Sequence, residues 1–148
     1  MDKVLQPQVY SLIALAACYK ALNDAAHIAH LKASRVSFFQ DHAFFAEIYE
    51  YADSQYDGLI ERHIGLNGDL GVDIKEINMK VMEKLQTFPN QVKENADFYR
   101  FIKGMLDYIQ SEIKKLASGV SLGTNNYLAQ LADDIEKFNY KINQRIKK

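Results

Sequence analysis

The chain has 148 residues, 48% of them apolar, a formal net charge of −1 and a single cysteine. That length supports one domain over residues 1–148 with a sizeable core and leaves no room for a second. So small a net charge gives no electrostatic reason to bind nucleic acid, no apolar run is long enough to span a bilayer, and the lone Cys18 excludes an intrachain disulfide and suits a reducing cytosol.

Two prolines, seven glycines and long helical periodicities favour an all-α protein. The first helix reads from about Val9 to Leu31, with Pro7 near its first turn and Cys18 as a small apolar residue. Leu15-Ala16-Ala17-Cys18 is similar to a lipoprotein processing site, but cleavage there would delete half of that helix, and the run is read as a buried amphipathic helix. After a polar break at Lys32–Ser37 the periodicity resumes from Phe38 to Ile64. Ser37 and Gln40 form a candidate capping box, and Gly65 is the expected stop. The polar stretch NGDLGVD ends in a second capping signal, Asp73 with Glu76, which opens a short helix to about Gln86. Thr87-Phe88-Pro89-Asn90 breaks the pattern. A helix from about Ala96 to Ala117 follows, then a turn over Ser118–Gly123, and a last helix capped by Thr124 or a near neighbour runs to about Ile146.

The residues with chemistry lie between His27 and Gly65. His30, His42, Asp57 and Glu61 stand at spacings of 12, 15 and 4 residues, a two-imidazole, two-carboxylate set of the kind that binds iron. Two helices joined by so short a break run antiparallel, so His30, one turn before it, and His42, one turn after it, lie at the same level. Asp57 is 15 residues beyond His42, roughly 22 Å along a helix, too far for one ion in one subunit. Symmetry removes the difficulty. If the second helix packs antiparallel on its own copy about a twofold axis near residues 49 and 50, His42 of one chain faces Asp57 of the other. Asp57 and Glu61, at i and i+4, share a face.

The segments AHLKASRVSFFQDHAFF and YDGLIER resemble the Dps-type miniferritins of the ferritin-like superfamily, and SLGTNNYLAQLADDIEKFNYKI is similar to that family's last helix. The resemblance implies a ferritin-like four-helix bundle with a short extra helix between the second and third long helices. It also implies a homo-oligomer, a dodecameric shell built from twofold dimers. Such a cytoplasmic shell stores iron under oxidative stress, oxidising Fe(II) with hydrogen peroxide or dioxygen at an intersubunit ferroxidase centre and holding the ferric mineral inside. Residue by residue it assigns His30, His42, Asp57 and Glu61 as iron ligands, with zinc as a substitute or inhibitor. Two positions depart from the family pattern: Ala46 stands where a further acid is usual, and Leu31 where a tryptophan commonly follows the first histidine.

Other candidates are weaker. His27, one turn before His30, is an accessory ligand or a satisfied, partly buried histidine. His63 reads as a surface residue at a helix end. Tyr49, near the proposed axis, could relay or quench an oxidising electron. Asp53 lies only about 20° around the helix from His42, and the twofold that pairs 42 with 57 pairs 46 with 53. Asp53 therefore either supplies the carboxylate missing at Ala46 or pairs with a lysine, arginine or tyrosine across the interface. Two functions compete with iron oxidation. One is a structural or binding helical oligomer with a weak or zinc-filled site. The other is a DNA-condensing protein, against which stand Met1–Gln6, with one lysine and one aspartate, and a tail of only Lys147 and Lys148.

Overall fold

A computed structural model describes residues 7–147, with side chains from Ser11 onward. Among these residues four long helices and one short one share a continuous apolar core. They are α1 (Pro7–Lys32), α2 (Phe38–Asn67), the short α3 (Ile74–Leu85), α4 (Asn95–Leu116) and α5 (Leu122–Ile146), with a single 3-10 turn at Ala117–Gly119 before α5. The described residues contain no strand, and none of their helices is long and apolar enough to cross a membrane.

α1 lies at the centre because apolar residues take up most of its circumference, leaving only a narrow, partly exposed stripe through Lys20, Asp24 and His27. Leu12, Leu15 and Leu22 are buried, and so are Ala16, Ala17, Ala21, Ala25, Ala26 and Ala29. A helix that is apolar over most of its surface has to be covered on several sides, and alanine both favours the helix and lets neighbours approach closely. α1 accordingly packs against α2, α3 and α4. By contrast, α4 and α5 bury one stripe each, through Ile102, Leu106, Ile109 and Ile113, and through Leu128, Leu131, Ile135 and Ile142. That three-and-four spacing is the mark of an amphipathic helix.

α1 and α2 form an antiparallel pair whose register is set by side chains along its length. The Tyr19 and Tyr51 rings meet edge-on at 6.0 Å, Asn23 donates to the Tyr49 carbonyl at 2.8 Å, and His30 meets His42 near the connecting turn. α2 and α5 are joined through long side chains. The Tyr51 hydroxyl donates to Asp134 at 3.0 Å, and Lys141 pairs with Glu47 at 3.2 Å.

Two expected helix ends are corrected. α2 does not stop at Gly65 but continues to Asn67, where Gly68 takes the left-handed φ of 71° that ends it, its N–H bonded to the Ile64 carbonyl. Nor does Ser37 form a capping box with Gln40. Its hydroxyl donates to Asp41 at 2.6 Å, and it makes no cap hydrogen bond. The signals at Asp73 and near Thr124 behave as expected: Asp73 accepts from the N–H groups of Lys75 and Glu76, and the Ser121 hydroxyl accepts from that of Thr124.

Candidate metal centre

His30 sits in the last turn of α1, where backbone carbonyls lack helical partners. His42 sits one turn into α2, and the short connection brings the two imidazoles face to face, ring centroids 3.6 Å apart and 18° from parallel. Nδ1 of His30 donates to the His42 carbonyl at 2.6 Å, and Nδ1 of His42 donates to the His30 carbonyl at 2.7 Å. Since a carbonyl can only accept, both Nδ1 atoms carry the proton, and in the neutral rings both Nε2 atoms keep their lone pairs. Backbone carbonyls hold metal-binding histidines in the correct tautomer in this way. The same bond satisfies an orphan carbonyl at the end of α1.

Aromatic rings extend the pair on both sides. Phe38 stacks on His42 at 4.9 Å, the Tyr49 ring meets His30 edge-on at 5.3 Å, and His27 stacks on Tyr49 at 4.4 Å. His27 is exposed and its ring centroid lies 6.1 Å from that of His30.

The turn that sets the two histidines at one level is held from outside by residues that sequence reasoning missed. Asn95, at the start of α4, accepts from the Ser34 N–H at 3.0 Å and donates to the Ser34 carbonyl at 2.8 Å. It also donates to Asp41 at 2.8 Å. Asp41, next to His42 in the chain, is 1% exposed. Its carboxylate accepts two hydrogen bonds from Arg145, at 2.9 and 2.8 Å, one from Tyr99 at 2.7 Å and one from Ser37. Burial alone would raise the Asp41 pKa, but the bonds from Arg145, Ser37, Tyr99 and Asn95 outweigh it and lower the pKa to about 2. A single anion thus ties the start of α2 to the first turn of α4 and the last turn of α5.

Asp57 and Glu61 are exposed on α2, as is Asp53. Among the described residues of one chain, no group of three or more histidines, cysteines, aspartates or glutamates converges to hold a metal ion. His30 and His42 are therefore together, and the carboxylates are elsewhere. The segment carrying them is fixed at Gly58, where an added Cβ would lie 2.6 Å from the Tyr127 hydroxyl oxygen. That hydroxyl donates to Gln55 at 2.7 Å, and the Arg62 guanidinium lies over the Tyr127 ring. Ala46 is half-buried. Leu31 and Phe39, near the histidines, are 63% and 79% exposed.

His63 corrects the sequence reading. It is fully buried, and its Nε2 donates to the Leu70 carbonyl at 2.6 Å, so the loop after α2 folds back over it. Leu59, one turn earlier and also buried, is the sequence signal that places position 63 on the inner face. No protein-family model matches the chain, and no curated protein matches it.

Proposed function

We propose that the chain is a subunit of a ferritin-like, Dps-type homo-oligomer that oxidises Fe(II) at sites shared between two copies and stores the ferric product in a closed shell. The observation that carries this reading is the reciprocal bonding of His30 and His42 through Nδ1, which sets both tautomers and leaves each Nε2 of the stacked pair with its lone pair. Among the described residues one chain brings only these two donors together, so a four-donor site takes carboxylates from a second chain. Asp57 and Glu61 are exposed, one turn apart on α2, and an antiparallel α2–α2 pairing about residues 49 and 50 brings them to the histidines. The exposed Leu31 and Phe39 supply apolar surface for that contact.

Imidazole and carboxylate donors suit Fe(II), which is the substrate here. In this reading the Nε2 atoms of His30 and His42 bind the ion, and Asp57 and Glu61 of the second copy neutralise the charge that grows as it is oxidised. Each Fe(II) gives up one electron; hydrogen peroxide takes two electrons and two protons and leaves as two waters. Dioxygen is the alternative oxidant, and zinc would occupy the same donors without redox chemistry. The number of carboxylates turns on Asp53, which is exposed in the single chain and within reach of the partner's Ala46 position in such a pairing.

Chains in which both histidines or both carboxylates are replaced test the division of the site. A His30→Ala/His42→Ala chain and an Asp57→Ala/Glu61→Ala chain are each expected to be inactive in an iron-oxidation assay followed by ultraviolet absorbance. Dissociated and reassembled together, they should regain activity at the interfaces that combine both intact halves. Mixed assemblies verified by mass that stay at the parental level would refute a site shared between chains.

A further inference from the structure

α3 packs on α1 but makes no extended contact with α4, and the wedge left between them is a cleft of about 360 Å³. α1 supplies its floor at Cys18, α4 supplies an apolar wall of Phe101, Met105 and Ile109, and Lys84 and Thr87 line it from the end of α3 and the turn after it. The cleft stays open because of Gly104. This glycine lies in the middle of α4, where glycine is unfavourable, and it lines the cleft with nothing within 4 Å of the place a Cβ would occupy.

Two cations border this apolar space, and they differ. Arg100 is held by Asp97 at 2.9 Å and Glu94 at 3.6 Å. Lys84 has no ion-pair partner among the described residues, and its ammonium lies over the Tyr108 ring, 4.0 Å from the centroid. Burial acts against the Lys84 charge, but the Tyr108 hydroxyl, with Cys18 and Glu83, outweighs it and raises the lysine pKa. An ammonium held by an aromatic ring and a hydroxyl, with no carboxylate paired to it, at the edge of an apolar cleft is half of a recognition site for an amphiphilic anion.

We propose that the α1–α3–α4 cleft binds a small amphiphilic monocarboxylate, its carboxylate on Lys84 with Thr87 as a second donor and its hydrocarbon body against Phe101, Met105 and Ile109. A cavity of about 150 Å³ holds benzene, so the cleft takes a body of roughly two rings or the equivalent alkyl chain. The Cys18 thiol at the floor is raised by burial to about 11 and stays neutral beneath that body. This site is separate from the histidine pair and does not depend on iron chemistry.

The test uses the full chain in its native assembly and decanoate as probe, titrated calorimetrically beside decanol. Wild type should bind decanoate saturably, one per chain, and bind decanol about tenfold or more weakly, because only the carboxylate meets the ammonium. Gly104→Leu places a side chain in the cleft at a site where leucine favours the helix, so it should keep or raise the melting temperature while abolishing decanoate binding. Lys84→Met keeps the stem and removes the charge, and it should level decanoate with decanol. Absence of saturable binding to wild type, equal binding by wild type and Gly104→Leu, or an undiminished preference for decanoate in Lys84→Met would each overturn the proposal.

Discussion

Asp41 in the first turn of α2 and Arg145 in the last turn of α5 are joined by two hydrogen bonds, from Nε at 2.9 Å and from Nη2 at 2.8 Å, although 104 residues separate them. Asp41→Asn leaves the guanidinium without its anion and puts an amide where five donor groups from four residues converge. It should cost about 3 kcal/mol in urea denaturation. The same contact shapes the acid limb. The Asp41 pKa falls on folding from the ordinary 3.8 to about 2, so its contribution is complete above the higher value and is lost as pH falls through the lower. Wild-type stability should therefore drop over that window, and the drop should be smaller in Asp41→Asn; parallel curves would count against the assignment.

Gly58 and Tyr127 make a second long-range prediction. Gly58→Ala puts a methyl group 2.6 Å from the Tyr127 hydroxyl oxygen, and that ring is held by Gln55 and Arg62. The substitution should destabilise by about 1–3 kcal/mol despite alanine's better helix propensity. Tyr127→Phe removes the clashing atom and leaves the next one at 3.5 Å, an ordinary contact. The double variant should recover most of the loss. A double-mutant cycle with no coupling would mean the ring moves aside freely.

Asp53→Asn decides whether this carboxylate replaces the one missing at Ala46. If Asp53 reaches the partner's site, the variant should bind Fe(II) more weakly and oxidise it more slowly with the oligomer intact. Unchanged affinity and rate would assign Asp53 to another contact.

No stable complex with duplex DNA is expected near physiological salt at neutral pH, since phosphate binding requires several clustered cations and the chain's net charge is −1. A gel shift that persists at that salt would show that an assembled surface concentrates lysines and arginines which the sequence leaves scattered.

The helices and the meeting of His30 with His42 were legible because each follows from spacing within a short segment. The Asp41 cluster was not. Its partners Asn95, Tyr99 and Arg145 lie on later helices, and an aspartate in a first helical turn looks like an ordinary solvated charge favoured by the helix dipole. That cluster also explains the lost capping box, since Asp41 draws the Ser37 hydroxyl away from the backbone. Gly65 misled because a glycine is a stop only where the chain needs a left-handed residue, and that residue is Gly68. His63 misled because a helix end is exposed only if nothing folds back over it, and Leu70 does.

Among the described residues one chain gathers two nitrogen donors and no third ligand, and on the proposed reading that division makes subunit concentration a variable of the chemistry. A newly made or diluted monomer would hold iron only weakly and turn little of it over. Specific activity would follow the dimerisation curve and saturate once pairing is complete, so dilution alone would act as an off switch.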